Sequence, residues 1–215
     1  MESLTLTTSD NVSIAADYYP AEGDRYAILL HMMPASKESW REFATQLQAR
    51  GITSIAIDQR GHGKSQGGPK GYQKFTDEQQ QAKIHDVRAA WQELERRGAT
   101  PEKTVVVGAS IGANLTIAYL VERQAIPIGV ALSPGLNYRG VLTDAAITEL
   151  AEGQEVLLVA SQEDKYSFNS SEQLHDKNPD QTQFLPQKNL GHGTTMFEKD
   201  PDLLGQVVGW IDERL

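Results

Sequence analysis

Short apolar runs alternate with amphipathic stretches along this chain, and this alternation limits its possible folds more than any other feature. Strand-like runs fall at 26–31, 53–58, 104–109, 126–132, 155–161 and 181–185. Between and after them, apolar residues recur at helical spacing over 37–50, 77–97, 111–123, 143–150, 170–176 and 201–215. Such alternation predicts an α/β fold with a mostly parallel, doubly wound sheet and helices on both of its faces.

The N-terminal segment has a different pattern. Residues 3–8 and 12–18 are rich in β-branched and aromatic types, and the turn-forming segment Ser9-Asp10-Asn11 separates them. This predicts an antiparallel hairpin, which brings the sheet to about eight strands. With 215 residues, 39% of them hydrophobic, we expect a single domain over 1–215.

Composition excludes several function classes. The chain has 20 Lys and Arg against 29 Asp and Glu, a net charge of −9 that argues against nucleic acid or an anionic membrane as the main partner. It has no cysteine, no clustered metal-ligand set and no dinucleotide-binding glycine motif, so we expect no metal and no organic cofactor. No secretory signal is visible, and no apolar stretch reaches the roughly 20 residues of a membrane span. We therefore expect a cytoplasmic protein, either a monomer or a small homo-oligomer.

The segment 105–113 carries the clearest chemical signal. An apolar strand runs directly into Gly108-Ala109-Ser110-Ile111-Gly112, and a helical pattern follows. A sharp strand-to-helix turn of this kind projects a serine clear of the sheet, and the small flanking residues give it room. Ser110 is therefore the candidate nucleophile. The alternative is a tight turn in which this serine only caps a helix.

A nucleophilic serine needs a base, and His192 is the best candidate among five histidines. It lies between two glycines in a loop after the last strand, and it follows the serine in the chain order expected for such sheets. His31 precedes the serine, and His62 lies in a glycine-rich loop that we take as a rim element. His85 and His175 fall in polar helical patterns and are expected on the surface.

The acid that orients the histidine should lie on a strand-end loop between the serine and the histidine. The strand at 155–161 ends in Gln162-Glu163-Asp164, and Asp164 is our candidate. Glu163 remains a close rival, because one residue of loop geometry separates the two carboxylates. Asp144 and Asp176 fall in helical patterns and are simpler to explain as solvated charges.

Together these residues resemble the α/β-hydrolase superfamily over nearly the whole chain. Segment 58–65, Asp-Gln-Arg-Gly-His-Gly-Lys-Ser, is similar to a stretch common in its esterases and lipases. Segment 31–34, His-Met-Met-Pro, followed by Trp40, resembles the oxyanion loop. The resemblance implies that the backbone N–H groups of Met33 and Ile111 form an oxyanion hole and that His31 is structural. Met32 replaces the usual glycine, so this loop must accommodate a side chain.

The resemblance is strongest to compact esterases similar to monoacylglycerol lipases and dienelactone hydrolases. Segment 133–143 is too short for a cap domain, so we expect an open, shallow site. Its candidate substrate-binding residues are Met32, Met33, Leu136, Tyr138, Tyr166, Phe168 and Met196. An uncharged rim favours small esters, cleaved through an acyl-enzyme intermediate. Peptidase, thioesterase, acyltransferase and perhydrolase activities use the same triad, and a non-catalytic binding protein on this fold is a further alternative.

Overall fold

The computed structural model describes residues 1–215 and contains ten strands and seven α-helices. The strands are β1 (Glu2–Thr7), β2 (Ser13–Tyr19), β3 (Arg25–Leu30), β4 (Ile52–Ile57), β5 (Thr104–Ala109), β6 (Ile128–Leu132), β7 (Asn137–Tyr138), β8 (Val141–Leu142), β9 (Glu155–Ser161) and β10 (Thr182–Gln187). The helices are α1 (Arg41–Ala49), α2 (Asp77–Gln81), α3 (Ile84–Arg96), α4 (Ile111–Glu122), α5 (Lys165–Lys177), α6 (Thr195–Lys199) and α7 (Pro201–Asp212). None of these helices is long and apolar enough to cross a membrane.

Eight strands form one sheet in the order β1-β2-β4-β3-β5-β6-β9-β10. The hairpin β1–β2 is antiparallel and joins β4 in antiparallel fashion, whereas the other six strands run parallel. This confirms the predicted fold class, including the N-terminal hairpin. Since the parallel strands all end at one edge, the loops that follow β3, β5, β6, β9 and β10 meet there.

The core lies on both faces of the sheet. In β5, Val106 belongs to a cluster with α3, α4 and α5, while Val105 and Val107 belong to a second cluster with α1 and α7. All three valines are fully buried, which is why this strand is apolar at every position rather than at alternate ones. Central β5 is thus packed from both sides up to its last residue, Ala109.

The helix predicted over 77–97 is interrupted. The chain turns at Ala82 and Lys83 between α2 and α3. The buried carboxylate of Asp86 accepts hydrogen bonds from the backbone N–H and the Nε of Arg60, each at 2.8 Å. This long-range contact docks the first turn of α3 and redirects the axis, an effect that helical periodicity does not encode.

The helix predicted over 143–150 is wrong. Only a single 3-10 turn forms there, Ala146–Glu149, and the short hairpin β7–β8 precedes it. The side-chain amide of Asn114 on α4 donates to the carbonyls of Gly135 and Val141, which ties this hairpin to the helix. Nothing larger lies between β6 and β9, so there is no cap domain, as predicted.

Candidate functional site

Ser110 sits at the turn between β5 and α4 with an unusual backbone. Its φ of 56° and ψ of −121° place it in the positive-φ region, where a residue with a side chain is strained. The backbone N–H of Ser110 donates to the carbonyl of Leu132 at 2.8 Å, so the end of β6 helps to hold the strained turn. The first residue of α4, Ile111, has a backbone N–H with no acceptor inside its own helix.

Two glycines make this turn possible by allowing close backbone contacts. A Cβ on Gly108 would lie 2.0 Å from the carbonyl oxygen of Gly112, and a Cβ on Gly112 would lie 2.3 Å from that of Leu30. Both contacts are with backbone atoms, which cannot move aside cheaply. The spacing of glycines around Ser110 therefore reflects direct packing of α4 against β3 and β5.

His192 and Asp164 are hydrogen-bonded to each other across the same edge. The distance from His192 Nδ1 to Asp164 Oδ2 is 2.5 Å, and the two side chains are 34% and 19% exposed. A carboxylate at Nδ1 favours the tautomer with the proton on that atom, which leaves Nε2 able to accept a proton. Asp164 comes directly before α5, and His192 lies between β10 and α6.

The loop of His192 packs beside the turn that carries Ser110. A Cβ on Gly193 would lie 3.3 Å from the Cβ of Ala109, the residue before Ser110. The backbone N–H of Gly193 donates to the Ser133 hydroxyl, which follows β6, at 2.9 Å. The ends of β5 and β6 therefore hold the loop of His192 beside the turn that carries Ser110.

Tyr138 forms a wall of this site. Its ring lies edge-on to that of His192, with centroids 6.3 Å apart, and its hydroxyl is 2.8 Å from the Ser167 hydroxyl. Burial raises the pKa of Tyr138 to about 12, against opposing hydrogen bonds from Ser167 and Ser110. The neutral Tyr138 hydroxyl thus lies close to the candidate nucleophile.

The segment that resembles an oxyanion loop is held from beneath by buried groups. His31 is fully buried; its Nδ1 is 2.9 Å from the carbonyl of Met32, and its Nε2 accepts the backbone N–H of Gln59 at 2.9 Å. Burial lowers the pKa of His31 well below its usual value, so this histidine is neutral and occupied by backbone contacts. Met33, the candidate donor, is half-buried.

Met32 is accommodated by a glycine in the opposite loop. A Cβ on Gly193 would lie 2.6 Å from the Sδ of Met32, and Gly193 has a φ of +57°. The side chain in place of the usual glycine therefore points at the loop that carries His192. This contact joins the two loops that flank Ser110.

Segment 58–65 is anchored by hydrogen bonds inside the protein. Asp58 is fully buried, and its carboxylate accepts the backbone N–H groups of Lys37 and Lys64 at 2.8 Å each. A Cβ on Gly63 would lie 2.2 Å from the carboxylate carbon of Asp58. His62 is fully buried as well, so the glycine-rich loop that we take as a rim element is anchored inside the protein at its start.

The other acidic residues and histidines that we considered for the triad contact other groups. Glu163 accepts hydrogen bonds from Ser161, Asn189 and Gly191 and none from the His192 ring. Asp144 pairs with Lys177 at the surface. His85 contacts the Ser9 hydroxyl at 3.0 Å, and His175 contacts that of Thr182 at 2.8 Å.

The remaining candidates for substrate binding divide into three groups. Tyr166 is 48% exposed, and its ring lies edge-on to Tyr138. Leu136 and Phe168 are half-buried, and Phe168 packs on Phe184 of β10. Met196 is fully buried in the core beneath α6, so the expectation that it lines the site is wrong. Its place on a short helix that the sequence did not predict explains the error.

The site is open. The protein has four surface cavities of about 210 to 510 Å³, and none is lined by Ser110, Asp164 or His192. Sequence reasoning missed the hydroxyls of Ser133, Ser161 and Thr195, which bind the loop of His192. The first two lie at the ends of β6 and β9, and their position at strand ends is the signal that could have found them.

Comparison with known proteins identifies the family of this chain. The profile of the family described as serine aminopeptidase, S33, matches residues 23–197, while no curated protein sequence matches the chain. The fold is similar to that of the Pyrococcus furiosus esterase Pf2001, with a TM-score of 0.80 and 19% identity over 99% of this chain and 91% of that one.

Two further solved structures share the fold. For the proline iminopeptidase of Mycobacterium smegmatis, the TM-score is 0.77 at 13% identity, covering 99% of this chain and 98% of the other. For a thermophilic esterase of Thermogutta terrifontis, the TM-score is 0.77 at 15% identity, covering 99% of each chain. The chain belongs to the serine aminopeptidase S33 family of α/β hydrolases and is a hydrolase.

Proposed function

We propose that this hydrolase cleaves small, uncharged carboxylic esters with Ser110 as nucleophile, His192 as base and Asp164 as the orienting acid. The observation that carries the proposal is the hydrogen bond between His192 Nδ1 and Asp164, next to a serine on a strained turn. Such an arrangement activates a hydroxyl that is otherwise a weak nucleophile.

The proposed reaction proceeds in two steps. His192 Nε2 takes the proton of Ser110 as the serine oxygen attacks the ester carbonyl, and Asp164 stabilises the imidazolium that forms. The backbone N–H groups of Met33 and Ile111 hold the oxyanion of the tetrahedral intermediate. The imidazolium then protonates the leaving alcohol, and a water molecule activated by His192 releases the acid. These steps require neither a metal nor a cofactor.

The ester preference follows from the surroundings of the triad. Met32 contacts the loop of His192, and Tyr138 lies against its ring; neither side chain carries a charge at neutral pH. No cap or enclosed cavity is available to hold a long acyl chain or an extended peptide. We propose accordingly that short acyl esters bind at the open edge, within a single domain over 1–215.

The first experiment is labelling by a fluorophosphonate probe, which reacts with activated serines. We expect the wild type to be labelled and Ser110→Ala to be unlabelled. With p-nitrophenyl acetate, Asp164→Asn should lower kcat by about 10²- to 10⁴-fold, because the imidazolium loses its carboxylate. An unlabelled wild type would exclude the proposed enzyme and favour a binding protein.

A peptidase is the second candidate, favoured by the description of the matched family and by the fold shared with a proline iminopeptidase. A panel of esters, thioesters and aminoacyl amides with matched acyl groups separates the two functions. We expect the largest kcat/KM for short esters. A larger value for the amides would replace esterase with peptidase without changing the triad.

A further inference from the structure

The loop over residues 189–193, here called the histidine loop, has a complete set of side-chain acceptors. Its five consecutive backbone N–H groups all donate to side-chain oxygens. The acceptors, in order, are Glu163 at 2.7 Å, the Ser161 hydroxyl at 3.1 Å, Glu163 at 2.5 Å, the Thr195 hydroxyl at 3.1 Å and the Ser133 hydroxyl at 2.9 Å. Side chains from four places therefore define the course of this loop.

The backbone of the histidine loop would not hold this shape by itself. Asn189, Gly191 and Gly193 have φ values of 60°, 90° and 57°, so three of its five residues adopt the left-handed region. The loop lies between β10 and α6, and none of its N–H groups donates to a backbone carbonyl; only the carbonyls of His192 and Gly193 take part in backbone hydrogen bonds, with Thr195 and Met196 at 3.2 Å each. Its shape depends on the side chains that accept its N–H groups.

Glu163 supplies two of these five acceptors. One carboxylate oxygen accepts the N–H of Asn189 and the other that of Gly191. The Ser161 hydroxyl donates to the same carboxylate at 2.7 Å and accepts the N–H of Leu190, so the two side chains act together. Despite partial desolvation, these hydrogen bonds from Ser161, Gly191 and Asn189 lower the pKa of Glu163 to about 2. The carboxylate is thus ionised over the working range of a serine hydrolase.

We propose that Glu163 is a positioning residue for His192. Asp164 holds the imidazole ring, and the adjacent Glu163 holds the backbone on which that ring is mounted. This inference rests on the proposed role of His192 as base. It gives each of the two neighbouring carboxylates a separate function instead of making them rivals for one.

The test is Glu163→Gln, which keeps the size of the side chain but not its two equivalent acceptors. One loop N–H then faces an amide NH2, so the loop shifts and His192 is misplaced. A misplacement of about 1 Å can cost about 10²-fold in rate, so we expect kcat on p-nitrophenyl acetate to fall by about 10- to 100-fold. KM should change by less than about threefold, since no substrate contact is removed.

The pH profile provides a second readout. In Glu163→Gln the imidazolium loses a nearby negative charge, and Asp164 holds it with poorer geometry. The acid limb of kcat/KM should accordingly move to lower pH in Glu163→Gln. Ser161→Ala changes no charge but removes one acceptor; we expect a smaller loss of kcat that is not additive with that of Glu163→Gln.

Glu172→Gln is the matched control, because Glu172 is an exposed carboxylate on the neighbouring α5. It should leave kcat and the acid limb as in the wild type. Wild-type kcat in Glu163→Gln, or equal losses in both variants, would overturn the proposal. So would an inactive Glu163→Gln beside an active Asp164→Asn, since Glu163 would then be the acid itself. Failure of the proposed function is distinguishable, because it appears in the wild type as absent labelling of Ser110.

Discussion

Two carboxylates at the same edge of the sheet perform a similar task in opposite surroundings. Asp58 accepts the N–H groups of Lys37 and Lys64, and Glu163 accepts those of Asn189 and Gly191. Asp58 is fully buried, whereas Glu163 is exposed. Burial raises the pKa of Asp58, against its backbone hydrogen bonds, while hydrogen bonding lowers that of Glu163 to about 2.

This difference in burial predicts a different role for each carboxylate. Asp58 joins the segment after β3 to the glycine-rich loop, so losing it leaves the buried N–H of Lys37 and the part-buried N–H of Lys64 without an acceptor. The N–H groups bound by Glu163 lie near the surface, where water can replace the acceptor but cannot impose the same geometry. We expect the buried carboxylate to matter mainly for folding and the exposed one mainly for catalysis.

The largest expected effect is that of Asp58→Ala on stability. The buried N–H of Lys37 left without an acceptor costs about 1–3 kcal/mol and the part-buried N–H of Lys64 adds to this, so the free energy of unfolding should fall by more than about 2 kcal/mol. Urea denaturation followed by circular dichroism measures the loss. Glu163→Gln should lose less in the same assay, because Glu163 is exposed, so solvent screens its charge and water can bind the freed N–H groups. Equal losses of unfolding free energy in the two variants would contradict the proposed difference between the two carboxylates.

A second variant tests the contact between the histidine loop and the loop of Met32. Gly193→Ala places a Cβ 2.6 Å from Met32 Sδ at a φ of +57°. We expect kcat to fall by about tenfold or more as the loops move apart, with a stability loss of about 1–3 kcal/mol. Adding Met32→Ala removes the sulfur and should restore much of kcat. If it restores nothing, backbone strain at residue 193, and not the contact between the loops, is responsible.

The smallest expected effect is that acidification changes the stability contributions of Glu163 and Asp58 in opposite directions. The folded pKa of Glu163 is lowered from 4.5 to about 2, so its stabilising contribution is complete above pH 4.5 and is lost as the pH falls towards 2. The folded pKa of Asp58 is raised above 3.8, so the contribution of its carboxyl decreases as the pH rises through that value.

Thermal melts of the wild type, Glu163→Gln and Asp58→Asn over this acid range check these signs. The Tm gap between wild type and Glu163→Gln should narrow on acidification, and the gap to Asp58→Asn should widen. Gaps that change in the same direction would show that the two carboxylates do not differ in the way proposed.

Most of the architecture could be predicted from the sequence, because strands and helices follow from local patterns of residue types. Apolar runs such as 104–109 are strands wherever both faces are covered, and alternation with helices determines the parallel sheet. The turn at Ser110 could also be predicted, because the small residues Gly108 and Gly112 flank it within two positions, although the close contact of Gly112 is with the distant Leu30. These features follow from the order of residue types along one short segment.

Only the tertiary structure shows that Asp164 and Glu163 have different partners. In a loop without periodicity, adjacent side chains point in unrelated directions, and here one binds the His192 ring and the other the histidine loop. Two other features also depend on residues far away in the chain. Met196 is buried by packing beneath α6, and the turn at Lys83 accompanies the contact of Asp86 with Arg60. The sequence by itself predicted the sheet and the turn that carries Ser110, because the order of residue types in short segments indicates both. Roles set by partners tens of residues away, such as those of Glu163 and Asp58, emerged only when the fold brought those partners together.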